Sequence, residues 1–125
     1  MKKLIFGIWM GLWMCLGISS SFAEDGKIGG TYAVQGTNPG GRGSYTGTVT
    51  ITSVGKVYHL DWKVGNVYSG IGIVNGNLLS VGWGNLAQAG YGVVTYTIQS
   101  NGVLSGTWAM AKGSDLGTET LTPMK

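Results

Sequence analysis

Ser44-Tyr45-Thr46-Gly47-Thr48-Val49-Thr50-Ile51-Thr52-Ser53 is the stretch that decides the fold, because its residues change character with a period of two. In an extended chain Tyr45, Gly47, Val49 and Ile51 share one side, while Ser44, Thr46, Thr48, Thr50 and Thr52 share the other. One side is apolar and the other is wet. The next segment repeats the pattern, with Tyr58, Leu60, Trp62 and Val64 opposing Val57, His59, Asp61 and Lys63. The same parity gathers Val94, Tyr96 and Ile98, and then Leu104, Trp108 and Met110. Between them, residues 67–75 read either way, since Ile71 and Ile73 oppose Tyr68 and Val74 with glycines interspersed. The three- and four-residue spacing of an amphipathic helix competes nowhere.

Extending this reading gives eight strands, at about 27–36, 44–53, 56–64, 67–75, 77–83, 91–100, 103–111 and 117–122. Val54-Gly55, Gly65-Asn66, Asn75-Gly76 and Asn101-Gly102 are tight-turn dipeptides, so consecutive strands are expected to pair as antiparallel hairpins. A twisted antiparallel sheet with a continuous apolar face and two open edges invites aggregation, and closure removes both edges. The expected fold is therefore all-β, an eight-stranded antiparallel up-and-down barrel, with a two-sheet β-sandwich as the alternative. Gly47, Gly70, Gly72 and Gly106 suit the coiling and close approach of a narrow barrel. In Tyr45-Thr-Gly47, Tyr68-Ser-Gly70 and Leu104-Ser-Gly106 a large residue precedes a glycine by two positions, at intervals too irregular for a solenoid.

The chain opens with Lys2 and Lys3, an apolar run from Leu4 to Ile18, and Ser21-Phe22-Ala23 ahead of Glu24-Asp25. This is the layout of a secretory signal peptide, with cleavage expected after Ala23 and a single domain over residues 24–125. The apolar run falls short of the roughly 20 residues that span a bilayer, so no stable membrane anchor is expected after cleavage. The protein is expected to be secreted or periplasmic. Cleavage would remove Cys15, the chain's one cysteine, leaving a domain without disulfides. It would also leave Lys27, Arg42, Lys56, Lys63, Lys112 and Lys125 against Glu24, Asp25, Asp61, Asp115 and Glu119, a balance near neutrality. With no basic cluster along the chain, nucleic acid is not an expected partner.

Tyr32-Ala-Val34-Gln-Gly36-Thr-Asn38-Pro39-Gly40, Tyr45-Thr-Gly47-Thr-Val49, Tyr68-Ser-Gly70-Ile-Gly72, Val81-Gly82-Trp83-Gly84 and Gly102-Val-Leu104-Ser-Gly106-Thr-Trp108 carry a resemblance. Over most of residues 24–125 the chain resembles a family of small secreted bacterial proteins often labelled fibronectin-binding. That resemblance implies a small barrel and contact with a host or envelope macromolecule. The segment from Leu104 to Trp108 is also similar to avidin-type barrels, and this analogy concerns architecture alone.

Chemistry is sparse. His59 and Asp61 share a strand face with Lys63, which reads as a solvated surface rather than a base with an orienting carboxylate. Ser69, Ser80 and Ser105 lie in no nucleophile elbow, so enzymatic activity is not expected. One histidine and a single leader cysteine cannot build a histidine or thiolate metal cluster, and Gly113-Ser114-Asp115 lacks the carboxylates of a calcium loop. No cofactor or metal is expected. Binding is the expected role, with two nominated regions. The first is the loop Asn38-Pro39-Gly40-Gly41-Arg42-Gly43, where Asn38 and Arg42 could meet a macromolecule. The second is the inward aromatic set Tyr32, Tyr45, Tyr58, Trp62, Trp83, Tyr96 and Trp108. Each buried tryptophan contributes on the order of 5 kcal/mol at roughly 200 Å² and 25 cal/mol/Å². An eight-stranded barrel either fills with side chains or holds one small ligand, and the loops at 84–90 and 112–116 would flank an open mouth. The expected function is an exported, adhesin-like binding protein; a carrier of a small apolar ligand is the alternative, and an outer-membrane barrel a third reading.

Overall fold

A computed structural model describes residues 28–125 apart from Leu86. The expected signal peptide, residues 1–23, lies outside the described residues. Eight strands run in order: β1 Gly30–Thr37, β2 Ser44–Val54, β3 Val57–Lys63, β4 Val67–Asn75, β5 Leu78–Asn85, β6 Gly90–Ile98, β7 Leu104–Met110 and β8 Gly117–Pro123. Each pairs antiparallel with its neighbour in sequence, and β1 pairs with β8 to close the ring. Val34 shows the closure, lying opposite Gly47 on one side and Leu121 on the other. The barrel is therefore the fold, and the two-sheet sandwich is discarded.

The expected strand bounds differ from the observed ones by no more than a few residues at each end, as fraying ends allow. Gly55 (φ 61°) and Gly76 (φ 62°) adopt the left-handed backbone that joins β2 to β3 and β4 to β5 through two-residue turns.

Side-chain direction follows the alternation. Val49, Ile51, Leu60, Leu79, Leu104 and Leu121 are almost entirely shielded from solvent, and each such aliphatic side chain contributes about 1.5–3 kcal/mol by burial. Thr46, Thr50, Thr52, His59, Asp61 and Lys63 face outward and are exposed. Threonines also ladder across the outer wall, as in the 2.7 Å contact between the Thr37 and Thr118 hydroxyls. The ambiguous β4 resolves in favour of its glycines. Gly72 is buried, and Tyr68 and Val74 pack on the core, whereas Ile71 and Ile73 are half exposed on the outside.

The two ends of the barrel differ. One end carries the two-residue turns 55–56 and 76–77 and the connection 99–103, and there the fully buried leucines and Ile51 fill the bore. The other end carries the connections 38–43, 64–66, 86–89 and 111–116, and there the bore opens.

Candidate functional site: an aromatic cup with a carboxylate floor

At the open end a cavity of about 470 Å³ reaches into the barrel, inside the roughly 300–1,000 Å³ range of small-molecule clefts. Tyr45, Trp62, Tyr68, Trp83 and Trp108 form its aromatic wall, with Val64, Val94 and Met110 between them. Asn38, Asn85 and Gln88 supply polar groups from strand ends and connections. Glu119 is the only acidic or basic residue among those lining it.

Trp62 and Tyr68 stand opposite each other, and the other three rings of the wall find room because each stands opposite a glycine on a neighbouring strand. Tyr45 faces Gly36, Trp83 faces Gly92, and Trp108 faces Gly117. Each ring lies where a glycine substituent would otherwise sit. The rings then meet edge to face in a chain: Tyr68 with Trp83 at 5.6 Å and 87°, Trp83 with Trp108 at 5.8 Å and 76°, and Trp108 with Tyr45 at 6.2 Å and 71°. Successive rings near a right angle make corners, so the wall is box-like rather than a stacked slab.

Glu119 on β8 is buried, and three donors converge on its carboxyl. The Tyr45 hydroxyl donates to Oε1 at 2.7 Å, Trp62 Nε1 donates to Oε2 at 3.0 Å, and the Tyr96 hydroxyl also donates to Oε2. Tyr96 is fully buried and approaches from the packed half, so it supports the floor without lining the cup. Burial, reinforced by the adjoining Glu119, pushes the Tyr45 and Tyr96 hydroxyls well above the ordinary tyrosine range. Both therefore keep their protons and act as donors throughout the physiological range.

The rim is held by local bonds. Asn85 Oδ1 accepts from the Gln88 amide at 3.0 Å, and Asn38 Nδ2 donates to the Arg42 carbonyl at 3.2 Å. Ala89 (φ 55°) and Lys112 (φ 70°), the non-glycine residues with left-handed backbone among those described, both sit in the connections around this mouth.

Of the residues nominated from sequence, Asn38, Tyr45, Trp62, Trp83 and Trp108 converge on the cup. Tyr96 lies just beneath it, and Arg42 is exposed in the β1–β2 connection without lining the cavity. The expected flanking loops at 84–90 and 112–116 are both at the open mouth. His59 and Asp61 are outside the barrel, where Asp61 accepts from the Ser69 hydroxyl at 3.2 Å. Glu119 was not among the residues nominated from sequence, where it entered only the charge balance. Its signal was parity: Gly117, Glu119 and Leu121 share the side opposite Thr118, Thr120 and Thr122.

No protein-family profile matches the chain, and no curated protein matches it. Among solved structures it is similar to a redesigned β-barrel, with a TM-score of 0.66 and 18% identity over 78% of this chain and 92% of that one. At that identity the likeness concerns the fold alone.

Proposed function

We propose that the protein is an exported, non-enzymatic binding barrel that holds one small, largely apolar molecule in the cup. The observation carrying this reading is the cavity itself, a space of about 470 Å³ walled by aromatic rings and floored by a hydrogen-bonded Glu119. A barrel selected only for stability gains by filling such a space, since larger inner side chains would take more apolar surface out of water. Convergent polar groups at the base of an apolar cleft are also the usual layout of a ligand site. On β2 and β3 the outward threonines and charged side chains favour a barrel working in water, since a membrane barrel needs an apolar lipid face all round. On β4 and β6, by contrast, Val67, Ile71, Ile73, Tyr91 and Val93 face outward.

The reading as an adhesin-like protein has narrower support, since it draws on exposed Arg42 beside the mouth. Tryptophan fluorescence tests the cup directly, because Trp62, Trp83 and Trp108 all line it. A saturable quench or spectral shift is expected with at least one member of a mixed panel of small apolar and amphiphilic probes, neutral and cationic. A flat response across the whole panel overturns the cup. Retention on immobilised fibronectin, lost on Arg42→Ala, would favour the macromolecular reading instead.

A further inference from the structure

We infer that the occupant of the cup is an organic cation, an N-alkylated ammonium group held against the faces of Trp83 and Trp108 with its charge toward Glu119. This rests on the cup being a ligand site and names the chemistry it selects. Glu119 is buried, and none of the residues lining the cavity with it is basic. Three donors converge on its carboxyl, and Trp62 Nε1 can only donate, which is the environment a carboxylate requires. Hydrogen bonds spread that charge but do not neutralise it, so the cup carries an excess of negative potential at its floor. The aromatic faces add to it, since a ring presents the negative part of its quadrupole to whatever sits over it. An anion is disfavoured on both counts.

The choice among cations follows from the donor and acceptor inventory. Calcium or magnesium needs about six or more oxygen ligands and zinc a set of histidine, cysteine or carboxylate ligands, whereas the lining of the cup offers a single carboxylate whose oxygens already accept three bonds. A primary ammonium carries three N–H donors, each needing an acceptor on desolvation, and the wall is aromatic. An N-alkylated ammonium has few or no N–H groups to satisfy, and its methyl groups bury well against rings. The rings of Tyr68, Trp83, Trp108 and Tyr45 meet near right angles, so the wall offers such a group aromatic surface in more than one plane.

Calorimetric titration of the purified protein with three probes of similar shape tests this. Choline supplies the trimethylammonium group, 3,3-dimethylbutan-1-ol is its neutral carbon isostere, and 3,3-dimethylbutanoate is an anion. Choline is expected to bind about tenfold or more tightly than the neutral isostere, with the anion weakest. Glu119→Gln should cut the preference for the cation to within about threefold. Trp83→Leu, which leaves the carboxylate floor in place, should weaken choline more than it weakens the isostere. Equal or tighter binding of the isostere overturns the cation while leaving the cup as a ligand site. Failure of all three probes, together with a flat fluorescence response to the mixed panel, removes the cup and the cation together.

Discussion

At Glu119 the interior of the barrel departs from a plain hydrocarbon core, and the departure has a pH signature. Tyr96 donates to that carboxyl from a fully buried position, and burial first, the neighbouring carboxyl second, raise its hydroxyl well above the ordinary range. In the unfolded chain a tyrosine gives up its proton near pH 10, whereas folded Tyr96 retains it. Below about pH 10 both states hold the proton and stability is unaffected. Above it the unfolded state binds fewer protons, so unfolding becomes easier by about 1.4 kcal/mol per pH unit for this one group. Tyr45 shifts in the same direction but borders the open cup, where solvent screening weakens its contribution. Denaturant midpoints measured between about pH 9 and 11.5 should fall more steeply for the wild type than for Tyr96→Phe. The variant starts about 1.5–3 kcal/mol less stable at neutral pH, having lost a hydrogen bond to a charged acceptor. Parallel slopes would show that Tyr96 titrates normally in the folded protein. Glu119 was within reach of the sequence, because parity places it beside Leu121. A charged residue between two threonines nevertheless reads first as surface, and only the three partners from β2, β3 and β6 make its burial tolerable.

Strand pairing explains most of the large-residue and glycine motif, Gly47 excepted, which lies opposite Val34. Within Tyr45-Thr-Gly47 or Leu104-Ser-Gly106 the spacing has no regular period, yet across strands Tyr45 meets Gly36, Trp83 meets Gly92, Tyr96 meets Gly106 and Trp108 meets Gly117. Each glycine gives up its side-chain volume to the ring opposite, which lets a narrow barrel carry several large aromatics on one inner face. A methyl group at Gly92 would run into the Ala109 carbonyl and the Trp83 ring, whereas at Gly82, facing outward on β5, it would meet nothing within 4 Å. Gly92→Ala should therefore cost about 1–3 kcal/mol by overpacking. Gly82→Ala should be neutral or stabilising by up to about 1 kcal/mol, since it only reduces the freedom of the unfolded chain. Urea unfolding of the two variants separates these outcomes, and equal costs would mean that the ring and carbonyl at Gly92 move aside freely. The elements themselves were legible because alternation and turn glycines are local signals, as Thr46 to Thr52 and Asn75-Gly76 show. Residues 67–75 were not, because glycine carries no hydrophobic preference and Ile71 and Ile73 are apolar on the wet side.

Across the whole barrel the open question from sequence was whether the bore is packed or hollow, and alternation could not answer it. Parity assigns a residue to the inside but says nothing of its height along the axis. Height depends on strand stagger, which puts Leu60, Leu79, Leu104 and Leu121 in the filled half and Tyr68, Trp83, Trp108 and Met110 around the cup. The barrel thus places its stability and its proposed binding function at opposite ends, and side-chain truncation should reveal the gradient. Leu79 has no exposed surface, so Leu79→Ala removes contacts on every side and leaves a void, a loss of about 2–5 kcal/mol. Met110 lines the mouth and is 46% exposed, so Met110→Ala has little to vacate and should cost under about 1 kcal/mol. Native-state hydrogen exchange should follow the same gradient, with the amides of Ile51, Leu79 and Leu104 protected more strongly than those at the rim-side ends of β5 and β7. A saturating cup ligand binds only the folded state, so it should raise protection at both ends and most at the rim. Uniform exchange along the axis, or equal losses for the two alanine variants, would mean that the cup is braced as firmly as the core.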